Sequence, residues 1–527
     1  MFKLRFVNLK QINSKRVVEI LVGVLFLAQP IFDIIKNSVI HDIQIFGFSF
    51  FEIFNIILVC ILAFLAVFLG DSRKKMFRFS LLGFLFLIYF GLHCYNMTLF
   101  NNDVYPQHSL NFLTEFYYLY KTFVNPIILI LSLYYLEVKR DYLIKLVQIF
   151  SLIISVVIII SNIFHFGYLS YGDDNVRCVK SIFSWFTFKN VYKYSFYEIA
   201  CRGLFFSANQ LSSVTFMIFP IILYSTYKRR RPFDYVCLIC LIISMYMLGT
   251  KVSTLGVIAA FMLFFSLYAF FLVYNKVLKK KEKLKNILGI TFVFAGSVAL
   301  FFFSPRFYEM KFLGEDFSSI QLIEDSLEGE ELDVNQFNRE WKKIKKIDCY
   351  QMTDNQNTQF LSFFRTYSGY MGVSKFIIDS YDYNRYPEFW CNYLQTSRNN
   401  DYRVLKTAIL DKIYTDNDNK LDKYFGLGYN LGFIYTESDY SFQFYSYGII
   451  GCILFLSGYF ISCIVSAYRI LKNWKKQFKF ENILLLSSPA IALFTAQFSG
   501  HVLERTIPLM VLAVVSSITL INSKGIN

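Results

Sequence analysis

Twelve stretches of roughly 20 apolar residues recur along this chain, near 17 to 37, 49 to 69, 78 to 97, 115 to 136, 143 to 165, 208 to 227, 233 to 250, 252 to 274, 286 to 304, 441 to 467, 482 to 499 and 507 to 522. Runs of that length commit a chain to a bilayer. A spanning helix needs ~20 residues, and lipid offers no partner to an open backbone group. The composition agrees: 55% of residues are hydrophobic and 17% charged, with 61 Phe and 38 Tyr, more apolar material than a soluble domain of this size buries. The expected fold is an all-α polytopic membrane protein of about twelve transmembrane helices.

Charge orders the segments. Lys3, Arg5, Lys10, Lys15 and Arg16 precede the first span and put the N-terminus in the cytoplasm, because short cytoplasmic loops are enriched in Lys and Arg. Alternate loops are then basic: Arg73-Lys74-Lys75, Lys139-Arg140, Lys228-Arg229-Arg230-Arg231, the run from Lys276 to Lys285 and the stretch from Arg469 to Lys479. The opposite loops, His41 to Ser49 and Asn96 to Leu113, hold no Lys or Arg. Both termini are expected in the cytoplasm. The first span is too long for a cleavable signal peptide and lacks a small-residue cleavage site.

One segment breaks the pattern. Residues 304–440 hold 22 of the 38 acidic residues and 16 of the 53 basic ones, a net of −6 against +21 for the rest. The alternation puts this insert outside, as a mainly helical subdomain between a membrane domain of residues 1–303 and the last three spans in 441–527. Helical apolar spacing marks Asn335 to Ile347 and Val404 to Ile413, and Asp416-Asn417-Asp418-Asn419 is turn chemistry. The amphipathic stretch Phe360-Leu361, Phe363-Phe364 and Tyr367 suits a membrane surface, a lid over a cavity, or packing onto the spans.

Several function classes drop out. The basic runs are short and scattered between spans without a reading motif, so nucleic acid is not an expected partner. There is no phosphate-binding glycine motif of an energy-coupled pump. His41, His93, His108, His165 and His501 are scattered, and Glu328-Gly329-Glu330-Glu331 has no calcium-loop spacing, so neither metal nor cofactor is expected. Cys178, Cys201, Cys349 and Cys391 fall in outer segments and allow one or two disulfides, or four free thiols. Cys237 and Cys240 have redox-motif spacing but sit in a span, where they read as packing.

The outer ends of the spans collect cations, and charge in a membrane is costly unless it serves a site or a partner. Lys121 lies about two turns into the fourth span, with Asp33 as a potential partner. Arg202 precedes the sixth span, Lys251 occupies the turn Gly249-Thr250-Lys251, and Arg398 and Arg403 lie in the insert. Such a rim suits an anion, and for an outward-facing membrane enzyme a lipid pyrophosphate fits Arg geometry.

Four motifs carry a resemblance. Arg202-Gly203-Leu204-Phe205-Phe206-Ser207-Ala208-Asn209-Gln210, Leu248-Gly249-Thr250-Lys251, Gly426-Leu427-Gly428-Tyr429, and Glu437-Ser438-Asp439-Tyr440 leading to Tyr447-Gly448-Ile449-Ile450-Gly451 resemble, in order and spacing, the O-antigen polymerase and O-antigen ligase superfamily. The resemblance runs from about residue 200 to the end and includes the long outer loop before the last spans. It implies a GT-C-like architecture in the cytoplasmic (inner) membrane of a bacterium. It also implies an undecaprenyl-pyrophosphate-linked oligosaccharide as donor and acceptor, with a flippase and a chain-length regulator as partners.

In the ligases of that family a loop histidine before the apolar Gly-x-x-Gly span is thought to activate the acceptor. Counting back from Gly448, Glu437 takes its place here. Glu437, or neighbouring Asp439, is the expected general base, since a carboxylate buried near aromatic rings gains basicity. Alternatively the pair caps the start of the tenth span. By the resemblance Arg202, Lys251 and Arg398 hold the pyrophosphate, and Lys121 joins them as an outer-end cation; Asn209 and Arg403 are in support, and His501 has a structural or gating role. The expected reaction is metal-independent, inverting glycosyl transfer by a polysaccharide polymerase. The alternatives are a ligase moving the glycan to lipid A core or another envelope acceptor, and a flippase of the same lipid.

Overall fold

The computed structural model describes residues 2–38, 44–45, 48–69, 72–108, 110–170, 176–178, 180–186, 199–278, 285, 287–307, 334–369, 371, 373, 375–396, 402–429, 434, 436, 438–498 and 500–524. Among them the chain is almost entirely helical, with two short antiparallel pairs, β1 (Gln44–Ile45) with β2 (Phe48–Ser49) and β3 (Tyr168–Leu169) with β4 (Cys201–Gly203). The protein is an all-α polytopic membrane protein.

Each of the twelve apolar segments is a helix. In order they are α1 (Phe2–Ser38), α2 (Phe50–Phe68), α3 (Ser72–Thr98), α4 (Phe112–Leu119) continued by α5 (Asn125–Tyr135), α6 (Arg140–Ile163), α7 (Ala208–Arg229), α8 (Pro232–Leu248), α9 (Lys251–Val277) and α10 (Leu288–Phe301). After the insert come α17 (Asp439–Lys472), α18 (Phe480–Phe498) and α19 (Thr506–Ser523). Among the described residues nine are long and apolar enough to cross a membrane; α8 and α10 are shorter apolar helices, and α18 falls outside both groups.

The chain divides into two compact units. The first comprises Met1–Gly91, Phe116–Met310 and Cys452–Asn527. Its centre is α19 and α7, whose apolar stretches are 94% and 89% buried, against 22% for α3 at the periphery. Being central, α7 carries hydroxyls where a peripheral span would carry Leu. They are satisfied within the helix: Ser212 donates to the Ala208 carbonyl at 2.7 Å, Thr215 to Leu211 at 2.8 Å and Thr226 to Ile222 at 3.0 Å. Small residues let neighbours close in; a Cβ on Gly256 of α9 would meet the Phe216 ring of α7 at 2.9 Å.

A π-helical turn, Tyr120–Val124, separates α4 from α5. The sequence explains it: Pro126 has no N–H to give the Thr122 carbonyl four residues back, and a wider turn accommodates the missing bond. Lys121 is presented by this turn.

The second unit comprises Leu92–Glu115 and Lys311–Gly451. Its helices are α11 (Val334–Ile344), α12 (Asp354–Tyr367), α13 (Lys375–Ser380), α14 (Pro387–Thr396), α15 (Tyr402–Asp416) and α16 (Asp422–Phe425). The rings of Phe360, Phe363, Phe364 and Tyr367 are buried in this unit's own core, with Trp390 and Ile409. Cys349 and Cys391 form a disulfide closing 42 residues.

Residues 92–115 clasp the Gly426-Leu427-Gly428-Tyr429 segment. His93 Nδ1 donates to the Phe425 carbonyl at 2.6 Å, Asn96 to Gly426 at 2.8 Å and His108 Nε2 to Leu427 at 2.9 Å, while the Tyr429 amide donates to Glu115 at 2.6 Å. Gly426 (φ +77) and Gly448 (φ +64) bring two backbones so close that a Cβ on either would collide with main chain, and Leu427 N donates to Tyr445 O across the crossing at 2.8 Å. Gly448 also breaks α17, which is two helices joined at a kink.

Candidate active site

Five chain segments of the first unit meet at one end of the helices. The C-terminal part of α1 brings Asp33 and Lys36, the start of α2 brings Glu52, and the π turn brings Lys121. Phe206 and Gln210 come from the start of α7, and Arg505 with Thr506 from the start of α19. They line a cleft of about 80 Å³, room for several waters or one phosphate-sized group.

Each side chain is held. Lys121 Nζ donates to Glu52 Oε1 at 2.9 Å, and Glu52 also accepts from Tyr117 and, at 3.1 Å, from Thr506. Lys121 thus pairs with Glu52 rather than with Asp33. Asp33 accepts the Phe206 amide at 3.0 Å and feels the charges of Lys36, Arg505 and Arg202. Gln29 and Asn55 exchange amide hydrogen bonds at 2.7 and 3.1 Å and tie α1 to α2 below the cleft. Asn37 donates to the Leu204 and Phe205 carbonyls at 3.1 Å, fixing the approach to α7. Arg505 lies over the Phe206 ring at 5.9 Å and pairs with Glu504 at 3.0 Å.

The helix directions add to the charge. The first turns of α2, α7 and α19 all contribute lining residues, so three helix N-termini, with their partial positive charge, face one cleft. Three cations, two carboxylates and three N-termini favour an anion.

Arg202 stands on β4, buried, with its guanidinium 5.8 Å from the Tyr168 ring of the neighbouring strand. Beside it Cys178 and Cys201 are free thiols packed with Leu169. Cys178 Sγ donates to the Tyr168 carbonyl at 3.2 Å, and the neighbouring Cys201 together with burial pushes the Cys178 thiol above the usual range.

The other expected site residues distribute as follows. Asn209 is half-buried in the first turn of α7, next to Gln210. Lys251 is exposed at the start of α9 and is not in the cleft lining; its helix is capped by Thr250, which accepts from Ser253 N and donates to Ser212 at 2.6 Å. His501 follows Gly500 with both in the left-handed region, in the turn that leads to Arg505. In the second unit Asp439 is fully buried in the first turn of α17, and Arg403 is exposed beside a shallow depression with Asp411 and Tyr445. Glu437 and Arg398 lie outside the described residues. Among the described residues no three His, Cys, Asp or Glu gather as for a metal.

Lys36, Glu52 and Arg505 escaped sequence reasoning. Arg505 is four residues beyond the Gly-His turn, and Glu52 opens a span just after an outer loop without cations, so each had a positional signal that its solitary charge hid.

No curated protein and no solved structure matches the chain. The sequence model of the family described as O-antigen ligase like membrane protein matches residues 15–525. With nearly its whole length covered, the chain belongs to the O-antigen ligase like family of membrane proteins.

Proposed function

We propose that the chain is a polymerase that joins polyprenyl-pyrophosphate-linked oligosaccharide repeats into a surface polysaccharide at the outer face of the cytoplasmic membrane. Family membership makes it a membrane glycan-processing enzyme of the glycosyltransferase type. The observation that carries the finer reading is the cleft, where Lys36, Lys121 and Arg505 and three helix N-termini surround a phosphate-sized space beside apolar helix surface. A pyrophosphate there would leave its lipid tail among the spans. The fixed cations would offset the charge that grows on the leaving group as the anomeric bond breaks.

In this reading Asp439 or Glu437 takes the proton of the attacking sugar hydroxyl, and a single in-line displacement inverts the anomeric carbon. The basic loops sit at the opposite helix ends, among them Lys139-Arg140 before α6 and Lys228-Arg229 closing α7, which supports an outward-facing cleft.

The test is elongation by the purified protein supplied with a polyprenyl-pyrophosphate-linked repeat, read as glycan length. Arg505→Ala and Lys121→Ala are expected to cut elongation by about a hundredfold. Normal polymer from both would sink the cleft as the donor site. Full-length polymer from both Glu437→Gln and Asp439→Asn would remove the carboxylates as base. Transfer to lipid A core without elongation would make the enzyme a ligase, and carrier-linked repeats accumulating only on the cytoplasmic side would make it a transporter.

A further inference from the structure

Of the helices that reach the cleft, α1, α2, α5 and α19 begin or finish, at their other ends, in a second basic region. The stretch of α1 from Glu19 to Lys36 spans roughly 25 Å at 1.5 Å per residue, as does α19 from Thr506 to Lys524, close to a hydrocarbon thickness. Two adjoining cavities of about 270 and 430 Å³ lie there and share Tyr134, Glu137, Val138, Lys139 and Lys524. Neither belongs to the cleft described above.

Their walls carry five cations, Lys15, Lys75, Lys139, Arg140 and Lys524, against Glu19, Glu137 and Asp141. The acids offset part of this charge and leave the cations in excess, five against three. Asp141 pairs with Arg140 at 3.1 Å and Glu137 with Lys524 at 3.8 Å. Tyr134 organises the floor. Lys524 Nζ stands 3.7 Å from the centroid of its ring, and its hydroxyl accepts from Arg469 at 3.0 Å. Arg140 is fixed by a 2.7 Å bond to Asn522, so two of the cations are held in place before any ligand arrives.

Apolar walls continue from these cations. Val18 and Leu136 line the second cavity, Leu69 does so while 46% exposed, and Val17 and Ile20 present exposed surface on the same helix as Lys15. A free anion gains nothing from that surface, whereas acyl chains do.

We propose that this region is a binding site for the phosphate head group of an anionic membrane lipid, with Lys139, Arg140 and Lys524 on the phosphate and the acyl chains along α1 and α2. Basic pockets between spans on the cytoplasmic side suit such head groups, and each Lys or Arg near the surface contributes about 1 kcal/mol of attraction. The site is independent of the donor cleft and of the reaction assigned to it.

The experiment uses the full-length protein in detergent, with phosphatidylglycerol, phosphatidylcholine of the same chains, and inorganic phosphate as probes. Lipid retention is read by native mass spectrometry and thermal unfolding in parallel. Phosphatidylglycerol is expected to be retained and to raise the unfolding temperature, with phosphatidylcholine and inorganic phosphate having little effect. The Lys139→Gln/Lys524→Gln protein is expected to hold phosphatidylglycerol about thirtyfold more weakly, and Lys139→Arg/Lys524→Arg to retain it. Equal retention of the two lipids, equal stabilisation by inorganic phosphate, or undiminished retention by the folded Gln variant would each overturn the assignment. Should the Gln variant not fold, the lipid comparison and the Arg variant decide alone.

Discussion

Lys121 of the π turn and Glu52 of α2 form a 2.9 Å ion pair whose side chains are only 16% and 19% exposed. In such surroundings the loss of one partner strands the other, while removal of both is far milder. Glu52→Gln is expected to lower stability by about 2 kcal/mol, between the values for exposed and fully buried pairs. Glu52→Gln/Lys121→Met should regain most of that stability in thermal unfolding yet stay about a hundredfold down in glycan elongation. Recovery of both properties would reduce Lys121 to a structural residue.

Gly203 follows Arg202 with φ +68, and a Cβ there would approach the Ile158 Cα and the Ser161 hydroxyl at 3.1 Å. Gly203→Ala is expected to cost about 1–2 kcal/mol and to shift the Arg202 strand. In steady-state kinetics the change should fall on the apparent KM for the lipid-linked donor, about tenfold, with kcat moved less. An unaltered KM would detach Arg202 from donor binding.

The Cys349–Cys391 bridge closes 42 residues of the second unit. Chain-entropy arguments put its contribution at about 4 kcal/mol as an upper figure. Reduction, or Cys349→Ser, should therefore speed amide exchange across residues 354–416 by about a hundredfold or more, with α7 and α19 unaffected. Exchange changed less than tenfold would show a core that holds without the bridge.

Acid should loosen the clasp. Burial holds the His108 imidazole below its ordinary range, with its bond to the Leu427 carbonyl only partly offsetting this. The unfolded chain therefore takes up the proton first, and stability is complete above about pH 6.5 and declines as pH falls toward the depressed folded value. Asp422, caged by Asn417 at 2.5 Å and Asn96 at 2.9 Å, is shifted the other way by burial. Its contribution is present below the usual carboxylate value and is lost as pH rises through the raised folded one. Exchange of the Leu427 and Gly428 amides between pH 7 and 5 checks the first effect, and His108→Gln should flatten it.

The spans were legible because their signal is local: a run of twenty apolar residues means the same thing wherever it occurs. The cleft was only half legible. Lys121 stood out, but Lys36 and Glu52 lie most of the chain away from Arg505, and each alone reads as a snorkelling or capping charge. The partner of Lys121 was misjudged for the same reason, since sequence gives no measure of distance between α1, α2 and the π turn. His93, Asn96 and His108 were likewise opaque. Their partners are backbone carbonyls, which leave no mark in an amino-acid sequence.

The clasp of residues 92–115 on residues 425–429 also sets a clock. His93 bonds a carbonyl 332 positions later in the chain. At about 5–20 residues per second of synthesis, that carbonyl emerges roughly 15–65 s after the imidazole. For that interval His93 has Glu115, 3.3 Å away in the same segment, for company, while its carbonyl partner waits for residues made late in synthesis.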